Sequence, residues 1–485
     1  MAERLGVLVG GQWIEPKGAE WQPNLNPADT RDVIDEVPLL QERELQSVLR
    51  HAHEGFEKWR DFSPVERGAV LRRAAALLRE NLALYSRDLA REMGKTLHEA
   101  EGEVARSADF LEYYGSLGRL PKGEILPDER AYVDAYTLRE PVGVVLAITP
   151  WNDPMVTPAR KLAPALFAGN AVILKPATLT PLTAVHLADA LNEAGLPRGA
   201  LTLVTARGSA TSRAFIESAL VQAVTFTGST EVGLSLERSA AGRNVRVEVE
   251  MGGKNAAVIL NGADLDVAVA AVVSGAFGQA GQRCTATSRL LVEEGVYDEV
   301  LDQLLARTES LRIGAALADG TEMGPLVEKA HLEKVLGYVD SGKAEGARLL
   351  FGGVRLADGP LAHGYFVSPA VFVDVSEDMR IWREEIFGPV LAVCKVRSLD
   401  DAIATVNASE YGLSASIFTR DMGAAHAFTS RVEAGNIGVN LPTSGWDVHM
   451  PFGGFKMSGS GEKEHGLEGL RFYTRTKTIA VRYGL

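Results

Sequence analysis

Cys284 sits in Gly281-Gln282-Arg283-Cys284-Thr285-Ala286-Thr287-Ser288. A run of small apolar residues over 267–277 precedes it and reads as a buried helix. The segment 289–293 follows and reads as a strand. The chain therefore turns at a glycine-marked joint with small residues around the sulfur. A thiolate there would be a strong nucleophile. The alternative is a small core residue, which is how lone cysteines usually behave; Cys394 is the only other cysteine. Three further polar groups stand in short segments marked by glycine or proline. They are Asn152 in Thr149-Pro150-Trp151-Asn152, Glu250 in Glu248-Val249-Glu250-Met251-Gly252-Gly253, and Glu385 in Glu384-Glu385-Ile386-Phe387-Gly388-Pro389. Between them lies Phe226-Thr227-Gly228-Ser229-Thr230-Glu231-Val232-Gly233. Its glycines follow a strand pattern and open a helix, the context in which backbone amides attract phosphate. The spacing is not G-x-G-x-x-G, so the general dinucleotide rule does not select it.

The elements that must hold these residues follow from periodicity. Ser63-Pro64-Val65-Glu66 and Thr96-Leu97-His98-Glu99 are capping boxes that open helices. His98 falls in a first turn and has no assigned role. From 142 onward continuous apolar runs at 142–148, 171–174, 201–204, 223–226 and 245–249 alternate with helical stretches. That pattern predicts a parallel, doubly wound sheet joined by right-handed crossovers. A second α/β series starts at 256–260. The 441–461 stretch, rich in Gly, Ser and Pro, reads as a long functional loop. The 131–139 segment reads as a hairpin and 478–483 as a strand, both with edge-strand composition.

The chain has 485 residues, enough for about three domains at ~150 residues each. Its 50 Lys and Arg against 63 Asp and Glu give a net charge of -13, which argues against nucleic acid as a partner. Two cysteines do not make a disulfide framework and fit a reducing cytoplasm. The opening Met1-Ala2-Glu3-Arg4-Leu5 lacks the apolar run of a signal peptide. No stretch is apolar enough for a membrane span, and no metal site is expected.

In this order, the segments quoted above resemble the aldehyde dehydrogenase superfamily, from about Asn24-Leu25-Asn26-Pro27 to Thr474-Arg475-Thr476-Lys477-Thr478. The resemblance implies an α/β fold with a Rossmann-type cofactor domain (1–119 and 141–252), an α/β catalytic domain (253–462), and oligomerisation or bridging segments (120–140 and 463–485). The hairpin and C-terminal strand would then make a subunit contact in a homodimer or homotetramer. Cys284 would attack an aldehyde and form a thiohemiacetal. The Asn152 amide and the Cys284 N–H would stabilise the oxyanion. Hydride would pass to NAD or NADP. Glu250, with a pKa raised by apolar surroundings, would activate water to hydrolyse the thioester. Coenzyme-A-acylating relatives usually lack that base, so Glu250 favours release of a free acid.

The same resemblance assigns the cofactor site to Ile148, Trp151, Lys175, Thr178, Gly228, Ser229, Gly233, Glu385 and Phe387. NAD-preferring relatives carry glutamate where Thr178 stands. A threonine does not repel a 2′-phosphate, and Lys175 offers it a positive charge, so acceptance of NADP is expected, with a preference for it over NAD as the stronger form of that expectation. Arg207 either reaches that phosphate or is simply solvated. For the substrate, Arg160 matches the arginine with which relatives acting on succinate semialdehyde and 2-oxoglutarate semialdehyde bind the distal carboxylate. The segment around Cys284 also resembles the 2-oxoglutarate semialdehyde group. Gly278 stands where succinate semialdehyde enzymes often place a second arginine. Trp151, Trp446 and Phe452 leave open an aromatic or medium-chain aliphatic aldehyde. A reading of a different class, a catalytically silent structural or binding member, is disfavoured because Cys284, Glu250 and Asn152 are all present.

Overall fold

The computed structural model describes residues 3–483. Met1, Ala2, Gly484 and Leu485, the outer ends of the first and last segments assigned from sequence, lie outside the described residues. Two seven-stranded sheets dominate. In the first, Arg246–Glu250, Val221–Thr227, Val144–Ile148, Ala171–Lys175 and Leu201–Leu203 lie side by side and parallel. Val144 to Ala147 are buried, because helices cover both faces and a continuous β-branched and aliphatic run is what such a strand needs. From Val144–Ile148 the chain winds outward in one direction through Ala171–Lys175 and in the other through Val221–Thr227. The crevice between Val144–Ile148 and Val221–Thr227 is therefore the switch point of the sheet. Asn152 and Gly228 emerge there.

In the second sheet Asn255–Ile259 is central, flanked by Thr287–Glu293 and Ser414–Phe418, all parallel. Only Met251, Gly252, Gly253 and Lys254 separate it from the last strand of the first sheet. Glu250 thus ends a strand of one sheet, and Cys284 lies just before a strand of the other. The Leu265–Phe277 helix packs on Thr287–Glu293 and delivers the chain to the cysteine loop.

Both capping boxes form. Ser63 Oγ accepts from Glu66 N, Thr96 Oγ1 accepts from Glu99 N, and each glutamate returns a bond to its cap residue. The Leu97–Ser116 helix lies against Val156–Ala168 and turns Glu99, Glu103, Arg106 and Phe110 to one side, as i, i+4, i+7 spacing requires. The N-terminal region is less local than its sequence suggests. Val7–Val9 and Gln12–Ile14 extend the first large sheet as an antiparallel edge, while Glu3–Arg4, Glu20–Leu25 and Val33–Leu39 form a separate small sheet. The stretch between the apolar runs 201–204 and 223–226 is a short α-turn, Gly208–Thr211, running into a π-helical turn, Ser212–Ile216.

Val133–Pro141 pairs antiparallel with Thr474–Arg482, and Ile125–Leu126 adds a short third strand. This sheet is largely exposed: Ile125 is 91% and Val481 45% accessible. Among the described residues no helix is long and apolar enough to cross a membrane.

Candidate active site

Cys284 is placed by a strained approach. Gln279, Ala280 and Gly281 have φ of 50°, 54° and 68°, three successive left-handed residues. Gln and Ala rarely adopt this conformation, so sequence patterns give no sign of it. At Gly281 a side chain is also excluded, since a Cβ would lie 2.3 Å from the Gly388 carbonyl oxygen. Asn255 Nδ2 then ties down the loop by donating to the carbonyls of Cys284 (2.8 Å) and Ala286 (2.9 Å).

Two cavities meet at this cysteine and share Asp153, Arg160 and Cys284. The inner one, about 190 Å³, is lined by Trp151, Asn152, Gly228, Ser229, Glu385 and Phe387 among others. The outer one, about 290 Å³, includes Arg106, Phe110, Arg283, Trp446 and Phe452. Thus Trp151, Asn152, Gly228, Ser229, Cys284, Glu385 and Phe387 converge as the sequence reading expects, and Trp446 and Phe452 face the same sulfur from the other side. Arg160 borders both.

Burial pushes the Cys284 thiol up to about 12, against the pull of the Arg160 guanidinium. Asn152 is buried and donates from Nδ2 to Asp153 Oδ2 at 3.3 Å. Asp153 is in turn paired with the buried Lys95 at 2.9 Å, which also pairs with Glu103. This network fixes the amide-bearing loop against the Leu97–Ser116 helix.

Glu250 lines neither cavity, although its neighbours Met251 and Gly252 line the inner one. It is 2% exposed, and neither carboxylate oxygen has a hydrogen-bond partner. Burial, then repulsion from Glu464 and Glu248, raises its pKa well above the carboxylate range. The 441–461 loop closes over it at Gly453, where a Cβ would come within 2.5 Å of Glu250 Oε1.

Behind these groups lies a buried ionic cluster that sequence reasoning missed. Glu464 Oε2 lies 2.8 Å from Arg160 Nε, and Glu464 Oε1 accepts from Lys161. The Arg160 contact is an ion pair without the alignment of a hydrogen bond. Burial alone would raise the Glu464 carboxyl, but Arg160 and Lys161 together hold it at about 2. Arg160 is 8% exposed, so it is no surface charge. His465, with φ of 66°, stacks on Phe452, and burial lowers it to about 3.

The remaining residues expected to hold the cofactor sit near the switch point. Gly228 and Gly233 are required by packing: a Cβ would lie 2.5 Å from the Phe226 ring and from Met251 Sδ, respectively. Ser229 caps the Thr230–Ala240 helix by accepting from Val232 N. Glu385 Oε1 accepts from Gly253 N at 3.0 Å. Trp151 packs edge-on against Phe387, with ring centroids 5.4 Å apart. Ile148 and Lys175 are register partners at the ends of adjacent strands. Burial lowers the Lys175 ammonium to about 8. Thr178, half-buried, follows on the next loop. Arg207 pairs with Glu20 on the surface at 2.5 Å.

The chain matches the model of the aldehyde dehydrogenase family over residues 13–479. It is 40% identical to the alpha-ketoglutaric semialdehyde dehydrogenase of Bacillus subtilis, covering 98% of this chain and 97% of that one. It is 41% identical to the 2,5-dioxopentanoate dehydrogenase of Saccharolobus solfataricus, covering 97% and 98%. Among solved structures it is similar to the betaine aldehyde dehydrogenase of Staphylococcus aureus in complex with NAD+, with TM-score 0.95 and 31% identity over 99% of this chain and 95% of that one.

Proposed function

Because the chain belongs to the aldehyde dehydrogenase family, we propose that it oxidises a semialdehyde, 2-oxoglutarate semialdehyde first and succinate semialdehyde second, to the corresponding acid with NAD or NADP. One observation carries the reading: Cys284 stands in the wall between a cavity of cofactor type and a cavity bordered by arginines. The names of the curated relatives support the substrate class.

The residues fit a dinucleotide. Gly252 leaves the inner cavity open beside Glu385, where any Cβ would close it. The Thr230–Ala240 helix begins at Ser229 and directs its positive end towards the same space. Glu385 and Phe387 would hold the nicotinamide ribose and ring, Ile148, Trp151, Gly228, Ser229 and Gly233 would border the pyrophosphate path, and Lys175 and Thr178 would meet the adenosine ribose. When bound, the cofactor supplies the hydride acceptor. Lys175 and the absence of a carboxylate at Thr178 support acceptance of NADP.

The protein's own part is addition and hydrolysis. Cys284 gives up its thiol proton to solvent, the thiolate Sγ adds to the aldehyde carbon, and the oxyanion takes hydrogen bonds from Asn152 Nδ2 and the Cys284 N–H. Arg160 lends positive potential at the sulfur, offsetting part of the cost of forming a thiolate in a buried site. After oxidation the cysteine carries a thioester. Glu250 takes a proton from water as the water attacks that carbonyl, and the acid leaves as the thiol reforms. A carboxylate with no hydrogen-bond partner, held at raised pKa, is the base this step needs.

Within this reading the chain divides as 1–119 with 141–252 for cofactor, 253–462 for catalysis, and 120–140 with 463–485 for assembly. The two large sheets support that division. The protein is then a cytoplasmic homodimer or homotetramer, a reading supported by the exposed three-stranded sheet and two free cysteines. An aromatic or medium-chain aliphatic aldehyde is the second reading, favoured by Phe110, Trp446 and Phe452 in the outer cavity.

The test is steady-state oxidation of succinate semialdehyde, 2-oxoglutarate semialdehyde, benzaldehyde and hexanal, each with NAD and NADP. A semialdehyde should show the highest kcat/KM. A preference for benzaldehyde or hexanal would replace the first reading with the second.

A further inference from the structure

Charge in the outer cavity is unevenly matched. Its wall carries three guanidinium groups, on Arg106, Arg160 and Arg283. Arg160 is paired with Glu464 at 2.8 Å. Arg283 is paired with Glu99 at 3.1 Å and donates to Gln279 as well. The other two carboxylates of that wall, Glu103 and Asp153, are both taken by Lys95. Arg106 alone among these arginines has no carboxylate within ion-pair distance among the described residues; it donates to the Trp446 carbonyl oxygen at 2.5 Å.

Arg106 is half-buried and lines the outer cavity, where among the described residues it bonds only the Trp446 backbone carbonyl, which takes one of its donors. A planar guanidinium with donors to spare suits a carboxylate, which it can hold through two parallel hydrogen bonds.

We propose that Arg106 forms a seat for the distal carboxylate of the substrate, holding it through the guanidinium donors that the Trp446 carbonyl leaves free. The proposal rests on the semialdehyde reading and deepens it. To Arg160, whose charge is matched by Glu464, it adds a second cation on the Leu97–Ser116 helix. Succinate and 2-oxoglutarate semialdehydes both carry the required carboxylate at the end remote from the aldehyde.

The experiment compares kcat/KM for succinate semialdehyde and for butanal, its uncharged counterpart of equal chain length, in the full-length enzyme. Wild type, Arg106→Met and Arg106→Lys are measured at saturating cofactor, together with inhibition of each by glutarate. Arg106→Met should lose about 30-fold or more on succinate semialdehyde, mainly through KM, and less than about threefold on butanal. Arg106→Lys should recover part of that loss. Glutarate should compete with aldehyde in wild type and not in Arg106→Met. Equal losses on both aldehydes would make Arg106 a structural support for the loop and overturn the proposal, as would a variant that keeps the wild-type preference. A wild type indifferent to the carboxylate would instead sink the semialdehyde reading, and the seat with it.

Discussion

The Cα of Gly252 faces the Glu385 carboxylate so closely that a Cβ would lie 2.1 Å from Oε2 and 2.6 Å from Oε1. Glu385 is held in return by the Gly253 N–H. The link between the two sheets is therefore shaped around one carboxylate, and Gly252→Ala must displace it. The expected outcome is a KM for NAD and NADP raised about tenfold or more, with kcat less affected. Glu385→Ala removes the obstacle, so the double variant should bind cofactor no worse than Glu385→Ala alone. Additive losses would place the clash elsewhere.

Glu250→Gln keeps the volume of the side chain and removes its basicity. In the proposed mechanism addition and oxidation do not use this carboxylate, while hydrolysis does. Rapid mixing should therefore show a burst of reduced cofactor close to one per active subunit. Steady-state turnover should fall by about 10²-fold or more. Wild-type turnover in this variant would remove Glu250 from the hydrolytic step.

What was legible in the sequence lies where one short segment is sufficient. Cys284, Asn152 and Glu250 each occupy a junction marked by glycine or proline, and the alternating runs predict the parallel core. What was not legible depends on distant partners. Glu464 lies 303 residues from Lys161, yet the two are bonded in the interior. Nothing local distinguishes Glu464 from the neighbouring surface charges. Arg160 likewise lies between Glu464 and the Phe452 ring, both distant in the chain, and no local pattern announces either partner. The left-handed turn at Gln279 and Ala280 escapes sequence reading because neither residue type signals it. The pairing of Val7–Val9 with the far edge of the first sheet escapes it because strand partners are not encoded in strand periodicity.

On the proposed assignment to the 2′-phosphate, Lys175 would make cofactor choice dependent on pH. Burial lowers its ammonium to about 8, so it is protonated below that value and neutral above it. A 2′-phosphate binds the protonated form, whereas NAD has no group that requires it. The KM for NADP should therefore rise as pH increases from 7 through 9, while the KM for NAD stays nearly flat. Lys175→Met should raise the NADP KM at pH 7 by about tenfold and flatten its pH dependence. A wild type with strong NAD preference at every pH would end the assignment of Lys175 to the 2′-phosphate.

Cys284 should react more slowly in the free enzyme than a nucleophile usually does. Its thiol is pushed up to about 12 by burial, and Arg160 only partly offsets this. Since the thiolate is the reactive form, the rate of alkylation by iodoacetamide should still be climbing at pH 10, with no plateau near the ordinary thiol range. Cys394 is also pushed up to about 12 by burial, so peptide mapping must separate the two sites. Removing the Arg160 charge takes away attraction to the thiolate, so Arg160→Met should slow alkylation at Cys284 further at a given pH and leave Cys394 unchanged. That variant also takes from Glu464 one of its two cations, so Arg160→Lys is the control that keeps the charge. A plateau below pH 8 in wild type would show that the thiolate is stabilised in the free enzyme by something stronger than Arg160. Equal rates in wild type and Arg160→Met would remove Arg160 from activation of the nucleophile.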